Sequence, residues 1–397
     1  MTVASPRPSD HLGTAPVPDG TVPLHPALAA YLAHGDFSDD AMRAFAAANP
    51  APLREPGALT FFWQGRAEGV DLLRWVHAGV DRRAFTRHGD TGLWSLRLAA
   101  RDNGRFEYKL ALQQGHGEDW ILDPANPDRA GDPFGENSVA MTWGYERPDW
   151  SMPQSNPAGR IETLEVRSDV FGEVRTEQIY LPPGQVPGRP YPLVVVHDGG
   201  DYRNYADLTV SLDNLIAAGD VPPLIAVLIQ ADDRMSEYPR GRRHARFLVQ
   251  ELLPAVAAAH PISNAPADRV LLGASLGAVA SLATAFRYPG VFGGLILKSG
   301  SFILDPRKLA QRQHPVFQRI ARLVQAFRRA PNLPPMRAFV STGELEGLAE
   351  ENRALADFLR SKGVAVDFQS SWDGHHWHNW RDQIRDALIW VFAPEAK

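Results

Sequence analysis

At 397 residues the chain is long for a single core and comfortable for two, since domains cluster near roughly 100 to 200 residues. Apolar residues at 44% and charged residues at 22% exclude a disordered or fibrous chain. A net charge of -5 supplies no global positive field for nucleic acid, and the absence of cysteine removes disulfides, thiolate metal sites and thiol nucleophiles, so any nucleophile must be an oxygen or a lysine.

The chain opens with MTVASPRPSDHLGTAPVPDG, a Pro-, Ser- and Gly-rich stretch expected to be mobile. It has no basic region followed by an apolar run, and no segment of the chain approaches the ~20 apolar residues that span a bilayer. A cytoplasmic protein with no membrane partner is the expectation. From His25 to Asn49, apolar residues at Leu28, Tyr31 and Leu32 and again at Met42, Phe45 and Ala46 have the spacing of one or two short amphipathic helices, broken over Gly35 to Asp40. These helices complete a first segment, 1–56.

Over 57–156 the texture changes to short runs, ALTFFW, VDLLRWV, LWSLRLA, RFEYKLAL and SVAMTW, separated by Gly, Asp and Asn. That pattern predicts an all-β sandwich, with Trp63, Trp75 and Trp94 as core residues. Pro, Ser, Asn and Gly gather in PDWSMPQSNPAGR, where the domain boundary is expected. A strand pair follows from Arg160 to Tyr180. The remaining runs, PLVVVHDGG, PLIAVLIQADD, RVLLGAS, GLILKSGS and MRAFVSTGE, have the continuous apolar character of strands buried on both faces of a parallel sheet. Helical stretches between them, Leu208–Ala218, Arg243–Ala259, Gly277–Tyr288, Val316–Arg329 and Leu348–Ser361, make 157–397 a doubly wound α/β domain.

Gly273-Ala274-Ser275-Leu276-Gly277 fits the G-x-S-x-G elbow, with strand RVLLG before it and helix AVASLATAF after it. A serine there is exposed at the carboxyl end of its strand, where open α/β sheets place their sites. A hydroxyl needs an imidazole to take its proton, and after the last strand-like run the turn Asp373-Gly374 leads into His375, with His376 in reserve. His375 and His378 also have the spacing H-x-x-H, but no carboxylate ligand pattern accompanies it, and neither metal nor cofactor is expected. The acid of a Ser-acid-His order should follow MRAFVST, where Glu344 and Glu346 stand; Asp373 is a third candidate. Oxyanion donors are expected from the amide of Leu276 and from Gly199 or Gly200 in the turn HDGGDY. The reading is an α/β-hydrolase with a serine nucleophile.

The elbow GASLGAVAS, the HDGGDY turn, Gly343 to Glu346 with Asn352-Arg353-Ala354-Leu355, and Gly374, His375, Trp380 and Arg381 together resemble the enterochelin esterase family, within the esterase D-like α/β-hydrolases. ALTFFWQG, RFEYKL and Asp123-Pro124-Ala125-Asn126-Pro127 are similar to the immunoglobulin-like domain that precedes the hydrolase in that family. The resemblance implies Ser275 as nucleophile, His375 as base, Glu346 as acid, and a ferric catecholate siderophore trilactone as the small-molecule ester substrate. The family's Gly-Gly-His is Asp373-Gly374-His375 here. For an anionic substrate, Arg203, Arg234, Arg240, Arg242, Arg243 and Arg246 are expected to form a positive rim, with Tyr202 and Trp377 as further substrate contacts. The rival substrates are feruloyl or acetyl esters of plant polysaccharide; the rival of another class is a non-catalytic carbohydrate-binding or scaffold protein.

Overall fold

The computed structural model describes residues 23–76, 79–309, 314–330 and 333–393, and side chains at 75, 76, 79, 80, 240, 306 and 308 fall outside that description. The Pro-rich start and the side chains of Trp75 and Arg240 therefore lie outside the described residues. The chain groups into two compact units, Met1–Arg129 with Glu136–Tyr145, and Ala130–Gly135 with Glu146–Lys397.

The first unit begins with helices Pro26–His34 and Asp39–Ala48, the second capped by the Ser38 hydroxyl, which accepts from Ala41 N–H. Two antiparallel sheets follow, one of four strands and one that has five of its strands in this unit. They meet face to face where Phe61 packs its ring 5.1 Å from Tyr108 and 6.2 Å from Phe106. Trp63 and Trp94 are paired across neighbouring strands and both are buried.

The second unit is built on an eight-stranded sheet: β1 (Arg160–Ser168), β2 (Glu173–Leu181), β3 (Leu193–His197), β4 (Ile225–Ile229), β5 (Arg269–Ala274), β6 (Gly294–Lys298), β7 (Arg337–Gly343) and β8 (Ala365–Ser371). Their spatial order is β1-β2-β4-β3-β5-β6-β7-β8. The β1/β2 and β2/β4 pairs are antiparallel, and every pair from β4 to β8 is parallel. Alternate residues of one strand go to opposite faces, so both faces are apolar. Val195, Val227, Leu271, Leu297 and Val340 share one core cluster; Val194, Ala226, Leu272, Ile296 and Phe339 share the other.

The second cluster is covered by α1 (Gly199–Tyr205), α2 (Leu208–Ala218) and, near the chain end, the helices Trp377–Asp382 and Ile384–Phe392. The first cluster is covered by α3 (Arg242–Phe247), α4 (Leu253–Ala259), α5 (Leu276–Arg287), α6 (Pro315–Arg329) and α7 (Ala349–Ser361). The single helix expected over Arg243–Ala259 is instead α3 and α4 joined by a π turn at Leu248–Leu252. Pro254 lacks the N–H that would bond the Gln250 carbonyl, so the regular ladder is interrupted there. No described helix is long and apolar enough to cross a membrane.

Candidate active site

The carboxyl ends of β3, β5, β7 and β8 converge on the residues singled out in the sequence. Ser275, between β5 and α5, has φ 55° and ψ −118°, a conformation costly for a side chain with Cβ. Three contacts hold it: its N–H donates to the Lys298 carbonyl (3.0 Å), its carbonyl accepts from Ser301 N–H (3.2 Å), and its Oγ lies 3.2 Å from Ser301 Oγ. Of the flanking glycines, Gly273 is sterically required and Gly277 is tightly packed. A Cβ on Gly273 would lie 2.3 Å from the Gly277 carbonyl carbon, and one on Gly277 would meet His197 Cβ at 3.0 Å.

Beside the elbow, β3 ends in His197, and Asp198 takes a left-handed conformation (φ 54°) before α1 starts at Gly199. Gly199 packs so tightly on β4 that a Cβ would fall 2.3 Å from Leu228 Cα. The first amides of a helix have no intrahelical acceptor, so Gly199, Gly200 and, at the start of α5, Leu276 carry N–H groups suited to an anion. Arg234 fixes this turn by donating to both Asp198 oxygens (3.1 and 2.8 Å).

Glu346 follows β7. Its Oε1 accepts from Gly343 N–H (2.6 Å) and Thr342 Oγ1 (2.8 Å), while Oε2 lies 2.5 Å from His375 Nδ1. Burial would raise the pKa of this carboxyl; the facing His375, the Ser299 hydroxyl and the Gly343 N–H outweigh it and hold the group below its usual range. The Asp373-Gly374 turn carrying His375 is pinned to the same loop, since Leu345 N–H donates to the Asp373 carbonyl (3.0 Å) and Glu344 N–H to that of Ser371 (2.8 Å). A Cβ on Gly343 would sit 2.3 Å from the Asp373 oxygen, which makes glycine necessary where the loops cross. The His375 ring stands edge-on to Trp380 (5.1 Å, 88°), and Trp380 Nε1 donates to Ser299 Oγ (2.9 Å).

Of the three candidate acids, Glu346 is bonded to His375. Glu344 Oε1 accepts from Ser370 Oγ (3.2 Å), and Asp373 Oδ1 from Gly374 N–H (2.6 Å). The ring of the reserve histidine, His376, packs on Gly374. Among the described residues no group of three or more His, Asp or Glu is arranged to hold a metal ion.

The expected arginine rim is largely occupied elsewhere. Arg234 serves Asp198; Arg243 donates through Nε to the Val170 carbonyl (3.1 Å) and lies over the Phe171 ring; Arg246 Nε bonds Gln250 (3.1 Å). Arg242 and Arg203 are at the surface, the latter bonding Gln178 Oε1 (3.1 Å). Tyr202, expected to meet substrate, is buried, with its ring edge against the half-buried Trp377 (5.3 Å) and facing Trp380 (6.4 Å). Its place on the inward face of α1 takes it off the surface. Sequence reasoning missed Ser299 and Ser301, which brace the elbow and the histidine loop, although the S-G-S directly after GLILK was a visible signal.

A mostly parallel α/β sheet with this constellation at its carboxyl edge is the frame of a hydrolase, and the Esterase family model ("Putative esterase") matches residues 168–391. The chain belongs to this family and is a carboxylic ester hydrolase. Its resemblance to enterochelin esterases holds across most of its length. It is 26% identical over 378 residues to the iron(III) enterobactin esterase of Escherichia coli O6:H1 (strain CFT073), covering 85% of this chain and 91% of that one. It is also 26% identical over 238 residues to the uncharacterized protein YjcH of Bacillus subtilis (strain 168), covering 58% of this chain and 96% of that one. The crystal structure of the ferric enterobactin esterase from Salmonella typhimurium superposes with a TM-score of 0.71 at 22% identity, over 90% of this chain and 99% of that one, a match of fold.

Proposed function

We propose that the chain is a serine esterase of the α/β-hydrolase fold in which Ser275, His375 and Glu346 form the catalytic triad. The observation that carries this reading is the 2.5 Å contact between His375 Nδ1 and Glu346 Oε2, at the sheet edge that also presents the strained Ser275. With Nδ1–H given to Glu346, the other ring nitrogen takes the Ser275 proton as Oγ attacks an ester carbonyl. An acyl-enzyme and an alcohol result. Water, deprotonated by the same imidazole, then releases the acid, while the amides of Leu276 and of Gly199 or Gly200 hold the oxyanion in both steps. The proposed division is a first segment to residue 56, an immunoglobulin-like domain over 57–156 and the esterase domain over 157–397, in the cytoplasm.

For the substrate we propose the trilactone of a ferric catecholate siderophore, cleaved to release its iron. Support comes from the 85% of this chain that aligns with an iron(III) enterobactin esterase. Arg203 remains at the surface to meet an anionic ligand, with Trp377 as an aromatic contact. Labelling by a fluorophosphonate is expected in the native chain and absent in Ser275→Ala; equal labelling of both removes the nucleophile assignment. On a panel of ferric catecholate trilactones, feruloyl esters and acetylated sugars, the trilactone is expected to give the highest kcat/KM, and a preference for either of the others replaces the substrate assignment.

A further inference from the structure

Behind the Asp198–Gly200 turn lies a chain of buried side chains that ester hydrolysis itself does not call on. His197 has no exposed surface. Its Nδ1 lies 3.1 Å from the Leu272 carbonyl on β5 and 3.0 Å from Ser281 Oγ on α5, and its Nε2 lies 2.9 Å from His244 Nε2 on α3. His244 Nδ1 in turn is 2.6 Å from Glu237 Oε1, and Glu237 Oε2 accepts from Arg175 Nη1 (3.2 Å) on β2. Tyr238 packs its ring edge-on to both imidazoles, and its hydroxyl accepts from Asp198 N–H (3.3 Å). One imidazole therefore touches the strand before Ser275, the helix after it, and the turn that carries Gly199 and Gly200.

The partners dictate where the hydrogens sit. A carbonyl oxygen only accepts, so the His197 Nδ1 that faces Leu272 carries hydrogen. Burial, reinforced by His244, pushes the His197 pKa well below its ordinary value, so the ring is neutral and its Nε2 accepts. His244 Nε2 must then donate. Glu237 is an acceptor too: burial opposes its ionisation, but His244 and Arg175 overcome that and hold its carboxyl below the usual range. Both nitrogens of His244 therefore carry hydrogen.

We propose that His244 is a positioning residue for the oxyanion turn, a doubly protonated imidazole that locks neutral His197 in its Nδ1–H form and so registers Asp198–Gly200 against the Ser275 elbow. The role rests on the esterase reading, because it acts through the donors that reading assigns. A displacement of the donors by about 1 Å is enough to cost roughly 10²-fold in rate.

Nitrogen-15 histidine spectra of the full chain at neutral pH test the protonation directly. The expected result is one neutral ring protonated at Nδ1, lost in His197→Gln, and one ring protonated at both nitrogens, lost in His244→Gln. A His197 proton on Nε2, or a singly protonated His244, overturns the proposal. Kinetics on a neutral p-nitrophenyl ester supply the second arm. His244→Leu removes the donor at similar volume and is expected to lower kcat about 10- to 100-fold with KM nearly unchanged, whereas His244→Gln, whose amide N–H takes over the bond to His197 Nε2, keeps most of the activity. Equal losses in both variants, or a loss carried by KM, overturn the positioning role. Should His244→Leu fail to fold, the spectra of the native chain still decide. Failure of the esterase reading looks different: no turnover and no Ser275 labelling in the native chain, whatever the spectra show.

Discussion

Lys298 ends β6 one strand away from the Ser275 elbow, and its side chain has no exposed surface. Its Nζ has no hydrogen-bond partner among the described residues and lies 5.2 Å from the centre of the Phe339 ring. Burial pushes its pKa down to about 7, against the opposing attraction of Asp386 and Asp382. The unfolded chain would hold that proton up to the ordinary value of 10.5, so it binds more protons than the folded chain between about 7 and 10.5. Stability contributed by this residue therefore rises with pH across that window, and the full cost of burying the charge applies below it. Lys298→Met keeps the volume and removes the cost. Urea denaturation at pH 7 is expected to show the variant more stable by on the order of a few kcal/mol, with the gap narrowing toward pH 10; a variant less stable at pH 7 contradicts the account. None of this was legible in GLILKSGS, where a lysine at a strand end reads as solvent-facing. The elbow was legible because its chemistry is carried by five consecutive residues. The Arg234–Asp198 pair was not legible for the opposite reason: the two stand 36 residues apart, and only the fold joins them.

At the scale of elements, the site is a set of strand ends whose turns are forced into shape by glycines. The alternation of apolar strands and amphipathic helices announced the α/β sheet, since strands buried on both faces and helices apolar on one leave different periodicities. The edge pair β1/β2 announced itself as a hairpin. The π turn between α3 and α4 did not, because a single proline in Leu253–Ala259 is compatible with a helix start as well as with a break. Gly199 shows how one of these turns can be probed. It begins α1, and a Cβ there would come 2.3 Å from Leu228 Cα, a backbone atom of β4 that cannot rotate away. Gly199→Ala must therefore move the start of α1 off the sheet, carrying the Gly199 and Gly200 amides with it. The expected outcome is a loss of about 1 to 3 kcal/mol in stability and a fall in kcat of about 10²-fold or more, with fluorophosphonate labelling of Ser275 slowed in parallel. Native kcat in a variant that is merely less stable would separate the turn from oxyanion binding.

On the scale of the whole molecule, the second unit has what a domain needs by itself. Two extended apolar clusters lie on opposite faces of its sheet, and every residue assigned to the triad and the oxyanion donors lies within it. The family match at 168–391 also falls inside it. A fragment spanning 146–397 is accordingly expected to melt cooperatively, to be labelled at Ser275 and to hydrolyse a neutral p-nitrophenyl ester with kcat close to that of the full chain. An aggregated or non-cooperative fragment would show that the first unit completes the fold of the second. If the fragment is folded and active on the small ester, the same preparation assayed on a ferric catecholate trilactone measures what the first unit adds. A drop confined to that larger substrate places its contribution in recognition rather than in chemistry, because the proposed triad and oxyanion donors would serve both esters alike.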